Sequence, residues 1–383
     1  MTHAKKKTSL KDKIVLTVSI IVIVACLLTL GAVAFLTYRP YQGEGGQISP
    51  NSELDKSVNV LVTGIDYSET DTERNGQKLT DLIMVANLDL ENGNVNILQI
   101  PRDTYISEVK KNSASSYDKI NSIYNQTDPN KEKTQDGEIP KMGVPGLARV
   151  IEDRFKIDID CYVSINMDNF KELVDDMGGI RINVPNRIVF SSKFGWVIEP
   201  GEQVLDGKKS EWFVRYRSGY SQGDIGRVQA QRLFMSSFVK QIMDMSPSQM
   251  LGVVKDASKY ITTDMSIAQM LNIAKIVKDF DMSNMNFHLL PGESTMYGLS
   301  VYSVHKQATA DLLNKYFREE GEFVSAEELN CVELRNSGNW FDDNGGSMED
   351  IYTQGNFNPG IHEDVLPEQS DEPDVIDVKA ELQ

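Results

Sequence analysis

Hydrophobic residues occur along the chain in two patterns, one long uncharged run near the N-terminus and then many short periodic segments. The run covers residues 14–36 and contains no charged side chain. At about 1.5 Å rise per residue, a helix of about 23 residues spans the roughly 30 Å hydrocarbon core of a bilayer. Five lysines lie before the run within residues 1–13. The positive-inside rule therefore predicts a cytoplasmic N-terminus and an extracytoplasmic remainder.

A cleaved signal peptide is the alternative explanation of this run. Hydrophobic cores of signal peptides span about 7–15 residues and end at a small-residue cleavage site. The run here is longer and no such site follows it, so we predict an uncleaved signal-anchor over 14–38. Because no later segment is long and uncharged enough for a second span, the sequence predicts a single-pass membrane protein.

Beyond a linker over 39–56, short apolar strands alternate with segments of helical periodicity. The alternation predicts an α/β domain over 57–320 with helices on both faces of a sheet. The predicted strands cover 58–65, 81–90, 95–100, 162–167, 180–185 and 286–290. The predicted helices cover 146–155, 168–177, 224–245, 266–280 and 300–318.

Charge changes this picture mainly at the two ends of the chain. The formal net charge of the 383 residues is -17. The proportion of charged residues, 25%, is nevertheless close to the average of soluble proteins. Residues 1–13 are basic, whereas residues 340–383 carry twelve acids against Lys379 alone, which predicts a disordered acidic tail. The acidic balance excludes a general nucleic-acid binder, because such a protein needs a basic surface.

The sequence contains few of the common catalytic signatures. It lacks the Cys/His spacing of zinc sites, the G-x-S-x-G turn and the Walker A loop, so conventional hydrolases and NTPases lose support. Three cysteines are too few for a disulfide-stapled small fold. Cys26 lies in the apolar run, and the sequence leaves open whether Cys161 and Cys331 pair.

Charged side chains stand at the ends of the predicted strands. Asp66 follows the first strand, Asp81 begins the second, and Arg102 follows the third together with Asp103. Open α/β sheets bind ligands beyond strand ends, so these positions are candidates for a binding site. Turn and helix-cap chemistry is the alternative explanation of any single aspartate, but four charged groups together favour a site.

A second group of candidates lies in residues 214–232. Arg215 and Arg217 are two residues apart and point to the same side of an extended segment. Arg227 and Gln231 are four apart and share one face of a helix. Arginines beside a helix N-terminus suit a phosphate or pyrophosphate, and nearby carboxylates suit a divalent metal that bridges it. Surface ion pairing is the alternative.

The order of these segments resembles the LytR-CpsA-Psr family. The matching stretches include VNVLVTGID, LTDLIMV, IPRDTY, EPGEQVLDGKKS and VRYRSGYSQGDIGRVQAQR. The resemblance is close over 57–245 and weaker to about 318. It implies a central mixed β-sheet flanked by helices and a membrane-anchored, Mg²⁺-dependent phosphotransferase. Such enzymes move a glycopolymer, for example teichoic acid or capsule, from polyprenyl pyrophosphate to peptidoglycan outside the cell.

The resemblance also implies roles for particular residues. Asp66 and Asp81 would bind the metal, and together with Arg102 they would form the catalytic group. The general base would be Asp66 or Asp81. Residues that would bind the substrate phosphates are Lys78, Arg215, Arg217, Arg227 and Gln231.

Two positions depart from the family pattern. Leu79, next to Lys78, stands where the family usually has an arginine. Ala230 stands where the family often has a second arginine. One or two basic contacts are therefore missing, or Lys78 supplies one of them. These departures put substrate details in question more than the type of reaction.

Several alternatives remain open from the sequence. The helix that carries Leu233, Phe234, Phe238 and Ile242 would either line an apolar tunnel for the lipid or pack in the core. A non-catalytic binder or a hydrolase of lipid pyrophosphate is the first competing function. A membrane-linked transcriptional regulator is the second, against which the outside topology and the acidic charge both argue.

Overall fold

The computed structural model describes residues 57–66, 78–134, 138–191, 196–216, 220, 224–318, 321–337 and 347–353. The predicted signal-anchor over 14–38 and the linker over 39–56 lie outside these ranges, as does most of the acidic tail. Within the described ranges, no helix is long and apolar enough to cross a membrane.

The centre of the fold is a mixed sheet of six strands: β1 (Ser57–Asp66), β2 (Leu79–Asp89), β3 (Asn94–Gln99), β4 (Cys161–Asn166), β9 (Ile261–Thr263) and β10 (Met285–Leu289). Their order across the sheet is β10-β3-β2-β1-β4-β9. Neighbouring strands are antiparallel except for the pairs β1–β4 and β3–β10, which are parallel. This arrangement confirms the predicted mixed sheet.

Three small hairpins accompany the sheet: β5 (Ile180–Val184) with β8 (Gly201–Leu205), β6 (Ile188–Ser191) with β7 (Trp196–Ile198), and β11 (Gly292–Tyr297) with β12 (Leu299–Val304). The helices in the described ranges are α1 (Gly143–Phe155), α2 (Met167–Asp176), α3 (Gly207–Arg215), α4 (Asp224–Met243), α5 (Pro247–Tyr260), α6 (Ile267–Lys278), α7 (Lys306–Tyr316) and α8 (Met348–Tyr352).

Alternate side chains of the central strands feed two separate cores. Val60 and Met84 belong to the core that includes Leu233 of α4, whereas Leu61 belongs to the core that includes Leu147 of α1. The period-two alternation of strand side chains places the two sets on opposite faces of the sheet. Helices therefore cover both faces, as the sequence predicts.

The predicted helix over 300–318 is wrong in its first part. Residues Leu299–Val304 form β12, and the helix begins only at Lys306, after His305. Val301, Tyr302 and Val304 are buried, and β-branched and aromatic side chains favour a half-buried strand over the first turn of a helix.

The predicted disorder of the tail over 340–383 is wrong for residues 347–353. Ser347 caps α8 by accepting a hydrogen bond from the Asp350 amide at 3.1 Å. Met348 and Ile351 lie three residues apart on one helix face, and both are buried against α4 and β10. The sequence around these two apolar residues is strongly acidic, so the composition of the segment predicts disorder rather than a packed helix.

The two cysteines of the described region are not joined. Cys161 and Cys331 are both buried and free, and they belong to the two different cores. Burial raises the pKa of both thiols, that of Cys331 to about 11. Both therefore behave as apolar core residues.

Candidate active site

A cavity of about 350 Å³ lies between the sheet and helices α2 and α4. Most of its wall is apolar, and it comes from strands as well as helices: Val62, Leu82, Met84, Val163, Ile165, Phe170, Leu173, Val174, Phe234, Met235, Phe238 and Ile261. The charged and amide side chains of the wall come from strand ends and nearby segments: Asp66, Asp81, Arg102, Asn166, Arg215, Arg227 and Gln231. Six residues that the sequence selects for phosphate chemistry therefore share one cavity.

The register of the sheet explains why distant aspartates meet. Asp66 at the end of β1 pairs with Leu79 at the start of the antiparallel strand β2, so both strands present this end to the same side. Asp81 follows two residues after Leu79 on β2, and a bulge interrupts the pairing between Gly64 and Ile65. The turn that carries Arg102 follows β3, the next strand in the sheet.

Arg215 is held between two carboxylates. Its Nη2 lies 3.5 Å from Asp66 Oδ1, and its Nη1 donates a hydrogen bond of 3.0 Å to Glu211 Oε1, one turn earlier on α3. The three side chains are only 10–17% exposed, so they are partly desolvated. Lys171 adds a further contact to Glu211 at 3.6 Å. These pairs fix the guanidinium at the wall of the cavity.

Arg102 and Asp81 form the second ion pair of the site. Arg102 Nη1 donates to Asp81 Oδ2 at 2.9 Å, with side-chain exposures of 18% and 27%. The other oxygen, Asp81 Oδ1, is buried and accepts no hydrogen bond within the described residues. Arg102 also approaches Asp103 at 3.8 Å, and Asp103 accepts from Lys119 at 2.8 Å. Opposite charges therefore alternate along this edge of the site.

Gln231 connects three elements at the cavity wall. Its Nε2 donates to the Val214 carbonyl at 3.1 Å, and its Oε1 accepts from Gln99 Nε2 at 3.0 Å. The residue therefore links β3, α3 and α4, in addition to any contact with a ligand. Arg227 precedes it by one turn on the same face of α4, as the spacing predicts.

The first turn of α4 depends on a glycine. A Cβ at Gly226 would lie 2.4 Å from the Cβ of Tyr220, which is closer than real side chains approach. Tyr220 is buried and packs edge-on against Tyr216 at 5.1 Å between ring centroids. The glycine before Arg227 therefore allows a close packing that positions the start of the helix.

Two predicted phosphate ligands are not in this group. Arg217 lies outside the described residues. Lys78 is described and half-buried, but it does not line the cavity. Ala230 is fully buried, so an arginine at this position would have to displace packed core side chains.

Apolar side chains of helix α4 are divided between the core and the cavity wall. Leu233 is fully buried in the core, whereas Phe234 and Phe238 line the cavity. Ile242 is half-buried and lies outside the cavity wall. The same helix therefore packs against the core and supplies part of the apolar cavity wall.

Two residues that hold site residues in place are not identified from the sequence. Gln99, buried at the end of β3, holds Gln231, and Glu211 holds Arg215. Glu211 lies four residues before Arg215, and this spacing on a helix indicates that the two side chains can form an ion pair. Gln99 has no such local signal, because its partner is 132 residues away.

The residues present fit a shared magnesium ion better than a metal held by protein alone. Within the described ranges, no group of three or more His, Cys, Asp or Glu side chains could hold a metal. Asp66 and Asp81 nevertheless share the cavity, and Asp81 Oδ1 is a buried oxygen without a hydrogen bond. Mg²⁺ commonly takes one or two carboxylates and completes its shell with water and substrate phosphates.

Comparison with known proteins relates the sequence to one family. The sequence model of the LytR_cpsA_psr family matches residues 37–318. The teichoic acid transferase TagU of Bacillus anthracis is 28% identical over 283 residues, which are 73% of this chain and 84% of TagU. The relative TagV of Bacillus subtilis is 26% identical over 250 residues, 63% of this chain and 59% of TagV.

A solved structure shows the same fold. The crystal structure of B. subtilis TagV superposes with a TM-score of 0.55 at 23% sequence identity. The match covers 72% of this chain and 98% of the TagV chain. TagU and TagV are both named as polyisoprenyl-teichoic acid–peptidoglycan teichoic acid transferases.

Proposed function

The chain belongs to the LytR-CpsA-Psr family, and from this premise we propose that it transfers a glycopolymer from polyprenyl pyrophosphate to peptidoglycan. The names of the relatives TagU and TagV support a teichoic acid or a similar polymer as the cargo. The observation that carries the proposal is the cavity itself. Its apolar wall suits a polyprenyl chain, and its charged residues suit the pyrophosphate.

The charged residues have distinct tasks in this proposal. Arg215 and Arg102 bind the phosphates, because a guanidinium makes charge-assisted, bidentate hydrogen bonds to phosphate oxygens. Their ion pairs with Asp66 and Asp81 hold the guanidiniums in place before the substrate arrives. Phosphoryl transfer depends mainly on such positioning and on neutralising charge.

The reaction exchanges one phosphate–oxygen bond for another. The hydroxyl oxygen of the acceptor sugar attacks the phosphorus that carries the glycan, and the bond from this phosphorus to the polyprenyl phosphate breaks. Polyprenyl phosphate leaves with the bonding electrons. The hydroxyl proton passes to a carboxylate, for which Asp66 and Asp81 are the two candidates at the cavity.

Asp66 and Asp81 are also the residues that would hold the magnesium ion. Bound there, Mg²⁺ would supply charge neutralisation to the pyrophosphate. The free Oδ1 of Asp81 supports this assignment, because burial of an oxygen without a partner is costly unless a ligand meets it.

A location at the outer face of the membrane is part of the proposal. The apolar run over 14–36 and the lysines before it favour an anchor with the catalytic domain outside the cell. Such an anchor would keep the cavity close to lipid-linked substrates. The acceptor, peptidoglycan, is found on that side only.

The variant Asp81→Asn tests the assignment of the site. Asparagine preserves the size of the side chain but removes its negative charge, so we expect Mg²⁺-stimulated transfer by the full-length protein to be lost. The melting temperature should change little, because the side chain stands near a strand end and is 27% exposed. Asp256→Asn, on the surface of α5, is the matched control. Normal, Mg²⁺-stimulated transfer by Asp81→Asn would contradict the proposed site.

A further inference from the structure

A second cavity, of about 510 Å³, adjoins the candidate active site and shares Arg102 with it. Unlike the first cavity, it is lined almost entirely by polar side chains. They come from the turn after β3, from the short helical turns at 116–125, and from the segment that pairs with Lys141: Asp103, Ser116, Tyr117, Lys119, Asn121, Ser122, Asn125, Gln126, Thr127 and Lys141. No catalytic or phosphate-binding role assigned above uses these side chains, except that of Arg102.

Asn121 offers a side-chain amide to this cavity. The residue is only 6% exposed and lines the cavity. Its backbone amide donates to the Arg102 carbonyl at 3.1 Å, which places Asn121 next to the residue that lines both cavities. A side-chain amide both donates and accepts hydrogen bonds, so it suits a ligand that offers hydroxyl groups.

Tyr117 supplies an aromatic surface at the same cavity. Its side chain is 68% exposed, which is unusual for a tyrosine. Gln126 holds the segment in place by donating to the Tyr117 carbonyl at 2.9 Å and to Ser122 Oγ at 2.8 Å. A tyrosine ring that is exposed on a well-held backbone is suited to bind a flat apolar face while its hydroxyl bonds a polar edge.

The charges of the cavity favour a mainly neutral ligand. Lys119 is neutralised by Asp103 at 2.8 Å, and most of the remaining wall consists of amides and hydroxyls. Lys141 is exposed and forms no ion pair within the described residues, so the cavity retains a modest positive charge. A second pyrophosphate would call for several arginines, whereas a hydroxyl-rich ligand calls for the amides and hydroxyls that are present.

We infer that this polar cavity binds a saccharide, whose hydroxyls meet Asn121 and its neighbours and whose apolar ring face packs on Tyr117. The inference rests on the proposed transfer reaction. Because Arg102 lines both cavities, a saccharide bound here would lie next to the phosphates in the first cavity. The saccharide is either the peptidoglycan acceptor or the glycan of the lipid-linked donor, and the two share the same chemistry.

Steady-state kinetics of the full-length protein separates the two sources. The probes are a polyprenyl-pyrophosphate-linked disaccharide as donor and oligosaccharides from muramidase-digested peptidoglycan as acceptor. In Tyr117→Ala and Asn121→Ala, we expect the KM for one of them to rise about three- to tenfold, as loss of one or two contacts implies. A higher KM for the acceptor assigns the cavity to peptidoglycan, and a higher KM for the donor assigns it to the donor glycan.

Two further variants keep this result specific. Tyr117→Phe retains the ring and loses only the hydroxyl, so it should raise KM less than Tyr117→Ala does. Phe323→Ala removes an aromatic side chain that is 64% exposed elsewhere, and it should change neither KM. Unchanged KM values in folded Tyr117→Ala and Asn121→Ala, or a fall in kcat alone, would overturn the inference.

A binding titration distinguishes failure of this inference from failure of the proposed function. The peptidoglycan oligosaccharides and the released donor disaccharide are titrated separately into the wild-type protein and into Tyr117→Ala. Saccharide binding that the variant weakens would support the cavity assignment even if the wild-type protein transferred nothing. Active transfer by a wild-type protein that binds neither saccharide in this cavity would overturn the assignment alone.

Discussion

At the scale of single residues, the site consists of arginines that are already paired with carboxylates. Arg215 contacts Asp66 and Glu211, and Arg102 contacts Asp81. Such pairs contribute little to stability where solvent screens them, but they restrict the rotamers of two long side chains. The pairs therefore hold the guanidiniums in position for phosphates. The paired carboxylates also compete with the phosphates for the same hydrogen bonds.

Arg215→Ala should weaken binding of a polyprenyl-pyrophosphate analogue. A hydrogen bond to a charged group contributes about 1.5–3 kcal/mol, so we expect an increase in Kd of about 10- to 150-fold. Calorimetry of the full-length protein with and without Mg²⁺ measures this change. Arg187→Ala, which removes an exposed arginine paired with Glu199, should leave Kd unchanged. Equal Kd values for the wild-type protein and folded Arg215→Ala would mean that the arginine has a structural role only.

Much of this residue pattern could be predicted because strand ends and helix faces are local features. Asp66, Asp81, Arg102, Arg227 and Gln231 follow from spacing and from the resemblance, and the structure places all of them at one cavity. Gln99 could not be identified because its role depends on a partner in a distant helix. Lys78 shows the reverse case, since its position next to Leu79 suggested a contact that the cavity wall does not include.

At the scale of elements, the apolar cavity arises where α2 and α4 leave the sheet face partly uncovered. Val163 on β4 and Phe238 on α4 both line its wall, and both also pack against core residues. Sequence periodicity cannot separate a cavity wall from a core, because both require apolar side chains. Only the spacing between the packed elements makes the difference.

Val163→Phe should fill part of the cavity and reduce affinity for the lipid portion of the donor. Displacing two methylene groups costs about 1.6 kcal/mol, which raises Kd for a long-chain polyprenyl pyrophosphate by about tenfold. Inorganic pyrophosphate, which has no lipid chain, should bind as it does to the wild-type protein. Val204→Phe, at a position that is 52% exposed on β8, is the control. A uniform loss of affinity for both ligands would contradict a lipid site in this cavity.

The short helix α8 lies in an acidic segment whose charge pattern predicts disorder. Met348 is 1% exposed, so Met348→Ala should lower the free energy of unfolding by about 2–5 kcal/mol. Urea unfolding of the full-length protein measures this loss. Glu349→Ala, at the exposed neighbouring position, should change stability by less than about 0.5 kcal/mol. Equal stability of both variants would mean that α8 does not pack on the domain in solution.

At the scale of the whole molecule, the architecture follows from consistent local patterns, and the exceptions have local causes. Alternating apolar residues specify the central strands and the helices on both faces, which the sequence predicts. The segment Leu299–Val304 joins a hairpin because its strand-forming residues pair with the adjacent strand β11, a local pairing that helical spacing does not reveal. Residues 347–353 are ordered by two buried side chains against a strongly acidic background.

Product analysis of the full-length wild-type protein tests the central claim most directly. The protein, reconstituted in lipid with Mg²⁺, receives polyprenyl-pyrophosphate-linked glycan labelled in the sugar, together with peptidoglycan. We expect the label to become covalently attached to peptidoglycan, with release of an equal amount of polyprenyl phosphate. Release of free labelled glycan would instead indicate a hydrolase. Bound but unchanged donor would indicate a binding protein, and either result would contradict glycopolymer transfer.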